Sequence, residues 1–244
     1  MRSSNTSATN AWQFTKDGLP IVSVDTKKKE QGGRFKNPGR IWSRESLPVN
    51  DHDFPSLGSG VAIPRGLYDP QADRGWVMVG TSHDTAEFAV DAIADWWRGP
   101  GRRRYPMPQS CSSWPTPVAV TVLVADSGSW PCKKGWSIVT GWQYGSKRVP
   151  LSHRGLQMEP DRAPALREMS KHCAGQPFTD YATILRLIGG TGTRTGLQVK
   201  CALNTTVYPT KVKVSDAQMS DLDIFNHSFF PEWNYTLFPR VIRN

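Results

Sequence analysis

The stretch PIVSVDTKKKE, residues 20–30, decides the fold. Ile21, Val22 and Val24 alternate around Ser23 as a strand does when it buries its apolar side chains. The strand runs into a carboxylate, Asp25, and three lysines follow at Lys27, Lys28 and Lys29. Taken by itself, Asp25 is an ordinary strand-end residue that starts a turn.

Working outward, GGRFKNPGRIW (residues 32–42) carries turn signals at Gly32–Gly33 and Pro38–Gly39 and a short second strand around Arg40–Trp42. The following stretch to residue 60 reads as loop, and NDHDFPSLGSG within it holds Asp51, His52 and Asp53, which read as solvated loop residues or as a metal cluster. GVAIPRGLYD and GWVMVGTSHD then give two strands joined by the polar turn DPQADR. Several strands joined by short turns predict an antiparallel meander near the N-terminus.

The clearest helix comes next, in SHDTAEFAVDAIADWWRG. Asp84 stands three residues before Glu87, a capping-box spacing. Phe88, Ala92, Ile93, Trp96 and Trp97 share one face, and Gly99–Pro100–Gly101 is expected to end the helix. Arg102, Arg103 and Arg104 form a basic knot behind it. Residues 109–168 lose this order: Trp114, Trp130, Trp136 and Trp142 sit among prolines with weak periodicity, although VAVTVLVAD has the form of a strand ending at Asp126. Order returns near residue 169. TDYATILRLIGG predicts a helix capped at Thr179 or Asp180, LQVKCAL and KVKVSD read as strands, and SDAQMSDLDIF as a short helix.

The chain has 244 residues, a net charge of +9 and a pI near 9.6. That balance favours an anionic partner, of which nucleic acid is the commonest. Cys111, Cys132, Cys173 and Cys201 are too scattered for a zinc site and suit a reducing, cytoplasmic setting. No apolar run is long enough to span a membrane, and MRSSNTSATNAW has no apolar stretch of signal-peptide length.

An aspartate at the end of a first strand, then a meander, then a helix, is the opening of a ribonuclease H-like α/β fold. In that fold carboxylates from a first strand, a later central strand and a later helix hold two divalent metals about 4 Å apart. The wording of the chain adds to this. IVSVDTKKKE, GRFKNPGRIW, VNDHDFPSLGSGVAIPRGLYD, GWVMVGTSHDTAEFAVDAIADWW and RRYP resemble successive blocks of the ISAzo family of bacterial insertion-sequence transposases. TRTGLQVKCALNTTVYPTKVKVSD and FFPEWNYTL resemble its tail, so the likeness covers roughly residues 12–108 and 169–238. The resemblance implies a DDE transposase or integrase core, Asp25 as the first catalytic and metal-binding aspartate, and Mg²⁺ or Mn²⁺ as its ion. It also implies DNA as partner, both transposon ends and target, with no small-molecule substrate and no membrane. Lys27, Lys28, Lys29, Arg102, Arg103 and Arg104 would face the DNA backbone. His83 and Asp84 belong to a family block, but their plainer roles are strand end and helix cap.

The middle departs from the family. Its second Asp block, Ala-Asp before a Gly-Gly-Ser-Asn-Gly turn, is missing, as is its Lys-Trp-Asn-x-Ile-Glu-His-Arg block. Yet WPTPVAVTV (residues 114–122), with suitable synonymous codons, reads Ala-Asp-Thr-Gly-Gly-Ser-Asn-Gly when started two nucleotides later. QMEPDRAP (residues 157–164), started one nucleotide later and given one more base, reads Lys-Trp-Asn-Pro-Ile-Glu-His-Arg. Both blocks return in order and in place, with at least three small insertions or deletions needed. A frameshift is the favoured reading, and a real but divergent middle is the alternative.

These observations give a lead-in at 1–18, the first half of a ribonuclease H-like core at 19–108, an out-of-frame and poorly ordered segment at 109–168, and the rest of the core with its tail at 169–244. The fold would then be incomplete and the enzyme inactive. Asp126 could stand in for the second carboxylate, and Glu159 or Glu168 for the third. Family members carry a sizeable DNA-binding region ahead of the Asp block, whereas about 20 residues precede it here, so end-specific binding is expected to be lost. The three readings that remain are an active transposase, a catalytically dead remnant, and an unrelated, non-catalytic basic DNA-binding protein.

Overall fold

The computed structural model describes residues 16, 18, 20–51, 53–106, 120–124, 138–140, 164–212, 217, 220, 224–226 and 235–237, the four short strands after residue 119 by their backbone alone. β1 (Ile21–Thr26) and β2 (Glu30–Gly32) both pair antiparallel with the long β3 (Gly60–Asp69). Thr26 lies opposite Arg65 and Glu30 opposite Ala62, so four steps on one strand meet three on the other. The lysines therefore occupy a β-bulge, which bends the strand and re-aims its side chains. The strand does not stop at Asp25; it passes through the bulge and resumes.

β3 turns into β4 (Arg74–Gly80) through a tight connection in which Asp69 Oδ1 accepts the Gln71 and Ala72 N–H groups, each at 3.0 Å. On the other side of β1 runs β5 (Val120–Val124), parallel to it, with Val24 opposite Val124. β6 (Ile138–Thr140) is parallel to β5. β7 (Gln198–Asn204) joins the outer side of β4 in parallel, and β8 (Ile224–Asn226) and β9 (Tyr235–Leu237) complete the other flank. The order is β7-β4-β3-β1-β5-β6-β9-β8. Its centre, an antiparallel meander with two parallel strands added beside β1, is the ribonuclease H-like layout.

Helices cover both faces. α1 (Ala86–Trp96) packs on β3 and β4, and its Phe88, Ala92, Ile93 and Trp96 meet Val22, Val24, Ile63, Leu67 and Met78. Phe88 is fully buried, and such a burial stabilises by about 1.5–3 kcal/mol. The opposite face holds α2 (Pro164–His172) and α3 (Tyr181–Gly189), whose Ala165, Leu166, Met169, Ile184, Leu187 and Ile188 meet Val77, Val79 and Val199. Asp180 caps α3 by accepting the Thr183 N–H at 2.7 Å, one of the two caps expected.

Four local expectations are corrected. α1 is capped by Thr85, whose Oγ1 accepts the Phe88 N–H at 3.3 Å; Asp84 is drawn away by Arg65. Gly99–Pro100–Gly101 does not end the helix. The backbone widens into a π turn over Trp97–Gly101 and winds on through Arg102–Arg104. The wide turn admits the Pro100 ring, which an α turn would exclude. Residues 40–42 form no strand. Pro38 and Gly39 turn the chain instead: Gly39 has φ +103°, and a Cβ there would stand 2.7 Å from Ala174 Cβ. Lastly, the proposed short helix is borne out at Ala217 and Ser220, but its end, Ile224 and Phe225, lies in β8. Of the strand expected over 211–216, Lys211 and Val212 are irregular and the rest falls outside the described residues.

Candidate functional site

Asp25 is half-buried on β1, opposite Gly66 of β3, and its Oδ1 accepts the Thr26 N–H at 2.8 Å. Val22 and Val24 face α1, so Asp25, which alternates with them, faces the other side of the sheet. That is the side on which α2 lies. A Cβ on Gly66 would come within 2.7 Å of Leu166 Cδ2, so α2 approaches the sheet at Asp25's register partner. A central strand, β5, also ends beside β1. The fold thus brings together the three elements from which a ribonuclease H-like site draws its carboxylates.

The carboxylates themselves are not assembled among the described residues, which contain no group of three His, Cys, Asp or Glu able to hold a metal ion. Asp126 and Glu159 lie outside the described residues, as does His52; Asp51 and Asp53 are exposed. Glu168 pairs with Lys171 at 2.7 Å and with Arg167 at 3.5 Å. The Lys171 hydrogen bond holds its carboxyl below the usual range. Ala165, Leu166, Met169 and Cys173 form the sheet-facing side of that segment. A two-metal centre needs several oxygen ligands, and the described residues do not fit one.

The basic residues divide into two groups. Lys27 turns inward, bonded to Glu30 and lying 5.7 Å from the centre of the Phe178 ring, while Lys28 and Lys29 are exposed. Arg102, Arg103 and Arg104 are exposed too, but at the other end of β3. The Lys27 N–H donates to Pro64 O, whereas Tyr105, next to Arg104, donates its hydroxyl to Asp69 at 2.7 Å. Five residues of strand, about 17 Å, separate these anchors. Arg104 lines a cleft of about 560 Å³ with Arg74, Trp76 and Lys200.

Three features of this region had weak signals or none. Arg65 lies on β3 beside Thr26, is 4% exposed, and donates from Nη2 to Asp84 Oδ1 at 2.5 Å. Its only trace was a lone basic residue inside GVAIPRGLYD. His83 Nδ1 lies 3.1 Å from Tyr208 O, and the Tyr208 hydroxyl donates to Asp91 at 2.8 Å, so the loop before α1 is fastened to the C-terminal segment. Trp42 stands wholly exposed between Arg40 and Arg44. GRIWSRE could have shown it: an aromatic between two arginines, with Ile41 as its one apolar neighbour in the stretch.

No helix among the described residues is long and apolar enough to cross a membrane. No curated protein and no solved structure shows a significant match to the chain. The profile of the family described as "Rhodopirellula transposase DDE domain" matches residues 6–112 and 165–239. The match spans both sides of the sheet, from β1 to α1 and from α2 to β9, and leaves out 113–164, within the stretch where sequence order fails. With that family profile over most of its length and the ribonuclease H-like sheet beneath it, the chain belongs to the ISAzo-type DDE transposases of bacterial insertion sequences.

Proposed function

We propose that the chain descends from an insertion-sequence transposase that cut and joined DNA in the cytoplasm with Mg²⁺ or Mn²⁺, and that as written it is a catalytically inactive remnant. The observation that carries this is the gap in the family match at 113–164. The blocks that should supply the second Asp and the Glu fall inside it. Within the gap, the shifted Glu codon overlaps Arg162 and Ala163, about one helical turn before Leu166. Leu166 rests on Gly66, Asp25's partner across the strands. A frame-restored chain would therefore bring its Glu onto the helix that faces Asp25. Without it, Asp25 is left among the described residues with no assembled partners, where two metals need several oxygen ligands.

The gene's nucleotide sequence is the first test: restoring frame through residues 109–168 should yield both missing blocks. The second is strand transfer on element-end DNA with Mg²⁺ or Mn²⁺. The frame-restored chain should join ends and lose that activity with Asp25→Asn, while the chain as written should not. Joining by the chain as written, abolished by Asp25→Asn, would overturn the reading. The alternative function, a basic protein that binds DNA without cutting it, is favoured by the net charge of +9; retained DNA binding in a chain that cannot be restored to the family's blocks would support it.

A further inference from the structure

Residues 38–49 are exposed without exception. Their base is nevertheless fixed. Phe35 and Asn37 are buried, Asn37 Nδ2 donates to Gln176 O at 2.6 Å, and the Gly175 N–H donates to Pro38 O at 2.7 Å. The Asn50 N–H closes the span by donating to Arg34 O at 2.6 Å. This is a strap on a rigid root, rising from the end of the sheet that carries the lysine bulge, since Gly32 pairs with Gly60 and the Gly33 N–H donates to Phe178 O.

Trp42 at its centre is 104% exposed, and Ile41 and Leu47 beside it are about half exposed. An indole is a surface a folded chain ordinarily covers. Arg40 and Arg44 flank it, Arg34 and Lys36 stand at the root, and Glu45 is the one acidic residue from 31 to 50. A second copy of this chain carries the same +9 charge, so the strap's charge is complemented by a polyanion rather than by itself. A base inside a duplex has both faces covered by its neighbours. An unpaired base offers one to an aromatic ring, while arginines on either side take the phosphates.

We propose that the strap holds DNA at an unpaired base, with Trp42 stacked on that base and Arg40 and Arg44 on the flanking phosphates. The inference rests on the transposase reading and names the form of DNA taken beside Asp25. The test is fluorescence anisotropy with the full chain and two labelled DNAs of equal duplex length, one blunt and one with a single-stranded overhang. The parent should prefer the overhang by about 5- to 150-fold, the range that one stacked base gives. Trp42→Ala should remove that preference and leave blunt-end binding unchanged, and Trp42→Phe should keep most of it. Arg40→Gln with Arg44→Gln should weaken binding to both DNAs and lower the salt slope by about 2. A Trp42→Ala chain that binds the overhang like the parent sinks the inference alone. So does one whose only change is a lower sedimentation mass, which assigns the indole to a contact between copies. A parent that binds neither DNA overturns the transposase reading as well.

Discussion

Arg65 and Asp84 meet at 2.5 Å, and their pairing ties the middle of β3 to the loop that opens α1. The arginine side chain is 5% exposed and the aspartate's 21%, and the guanidinium lies 5.9 Å from the centre of the Phe88 ring. Removing one member of a buried pair leaves the other charge without compensation. Asp84→Ala should therefore destabilise the chain by about 3 kcal/mol, read as a lower urea midpoint at constant slope. Adding Arg65→Met should restore much of the loss. An Asp84→Ala chain as stable as the parent would show that the pair contributes nothing.

The contact of α2 with Gly66 predicts a size limit at that position. Gly66→Ala sets a methyl 2.7 Å from Leu166 Cδ2 and 3.0 Å from its Cγ. Overpacking of this kind costs about 1–3 kcal/mol. Leu166→Ala makes room for the methyl, so the two changes together should cost less than the sum of each alone. Strict additivity in a double-mutant cycle would mean that α2 does not rest on Asp25's partner.

Alkaline pH should weaken the fold between about pH 10 and 12. Burial, then the hydrogen bond to Asp91, pushes the Tyr208 phenol up to about 12, and burial with Asp73 does the same for Tyr68. The fold holds each phenol neutral. The stability this gives is complete below the ordinary value of 10.0 and is lost as pH rises toward 12. Denaturant titrations at pH 9, 11 and 12 should fall steadily in the parent, and the fall should be shallower in Tyr208→Phe. An equal slope in both chains would remove Tyr208 from the account.

Cys173 and Cys201 should resist alkylation in the folded chain. Burial raises the first thiol to about 11 and the second to about 12, so almost no thiolate exists at pH 8. Mass mapping after brief iodoacetamide treatment should find both unmodified, and both modified in urea. Rapid native labelling of Cys173 would show that α2 opens away from the sheet.

The parts of the fold that could be read beforehand are those where local pattern and tertiary demand agree. Ile21, Val22 and Val24 are apolar because a central strand is buried on both faces, and Phe88, Ala92, Ile93 and Trp96 repeat because α1 lies on that strand's sheet. Asp180 was open to recognition as a cap because its other donors, the Thr179 and Thr183 hydroxyls, lie in the same turn and leave Oδ1 to the Thr183 N–H. Asp84 was misread because something does: Arg65, nineteen residues earlier, takes it, and Thr85 caps instead. The lysine bulge was hidden for the same reason, since a bulge exists only in the count of residues on two paired strands. At the π turn of Trp97–Gly101, Gly101 packs closely against Trp96 and Trp97, a contact that no periodicity encodes. Of the candidate site, the place of Asp25 on a half-buried strand was legible from the apolar residues before it. The carboxylates that would join it are not assembled among the described residues, and no local periodicity encodes which distant side chains a fold brings to one place.

The pairing of β4 with β7 has a consequence for how the protein is made. Arg74 and Gln198 are partners across that edge, 124 positions apart along the chain. At about 5–20 residues per second, a ribosome takes roughly 6–25 s to supply the second strand after the first has emerged. Through that interval the outer edge of β4 must wait unpaired on the nascent chain, open to chaperones, to proteases and to other unfinished copies on the same messenger.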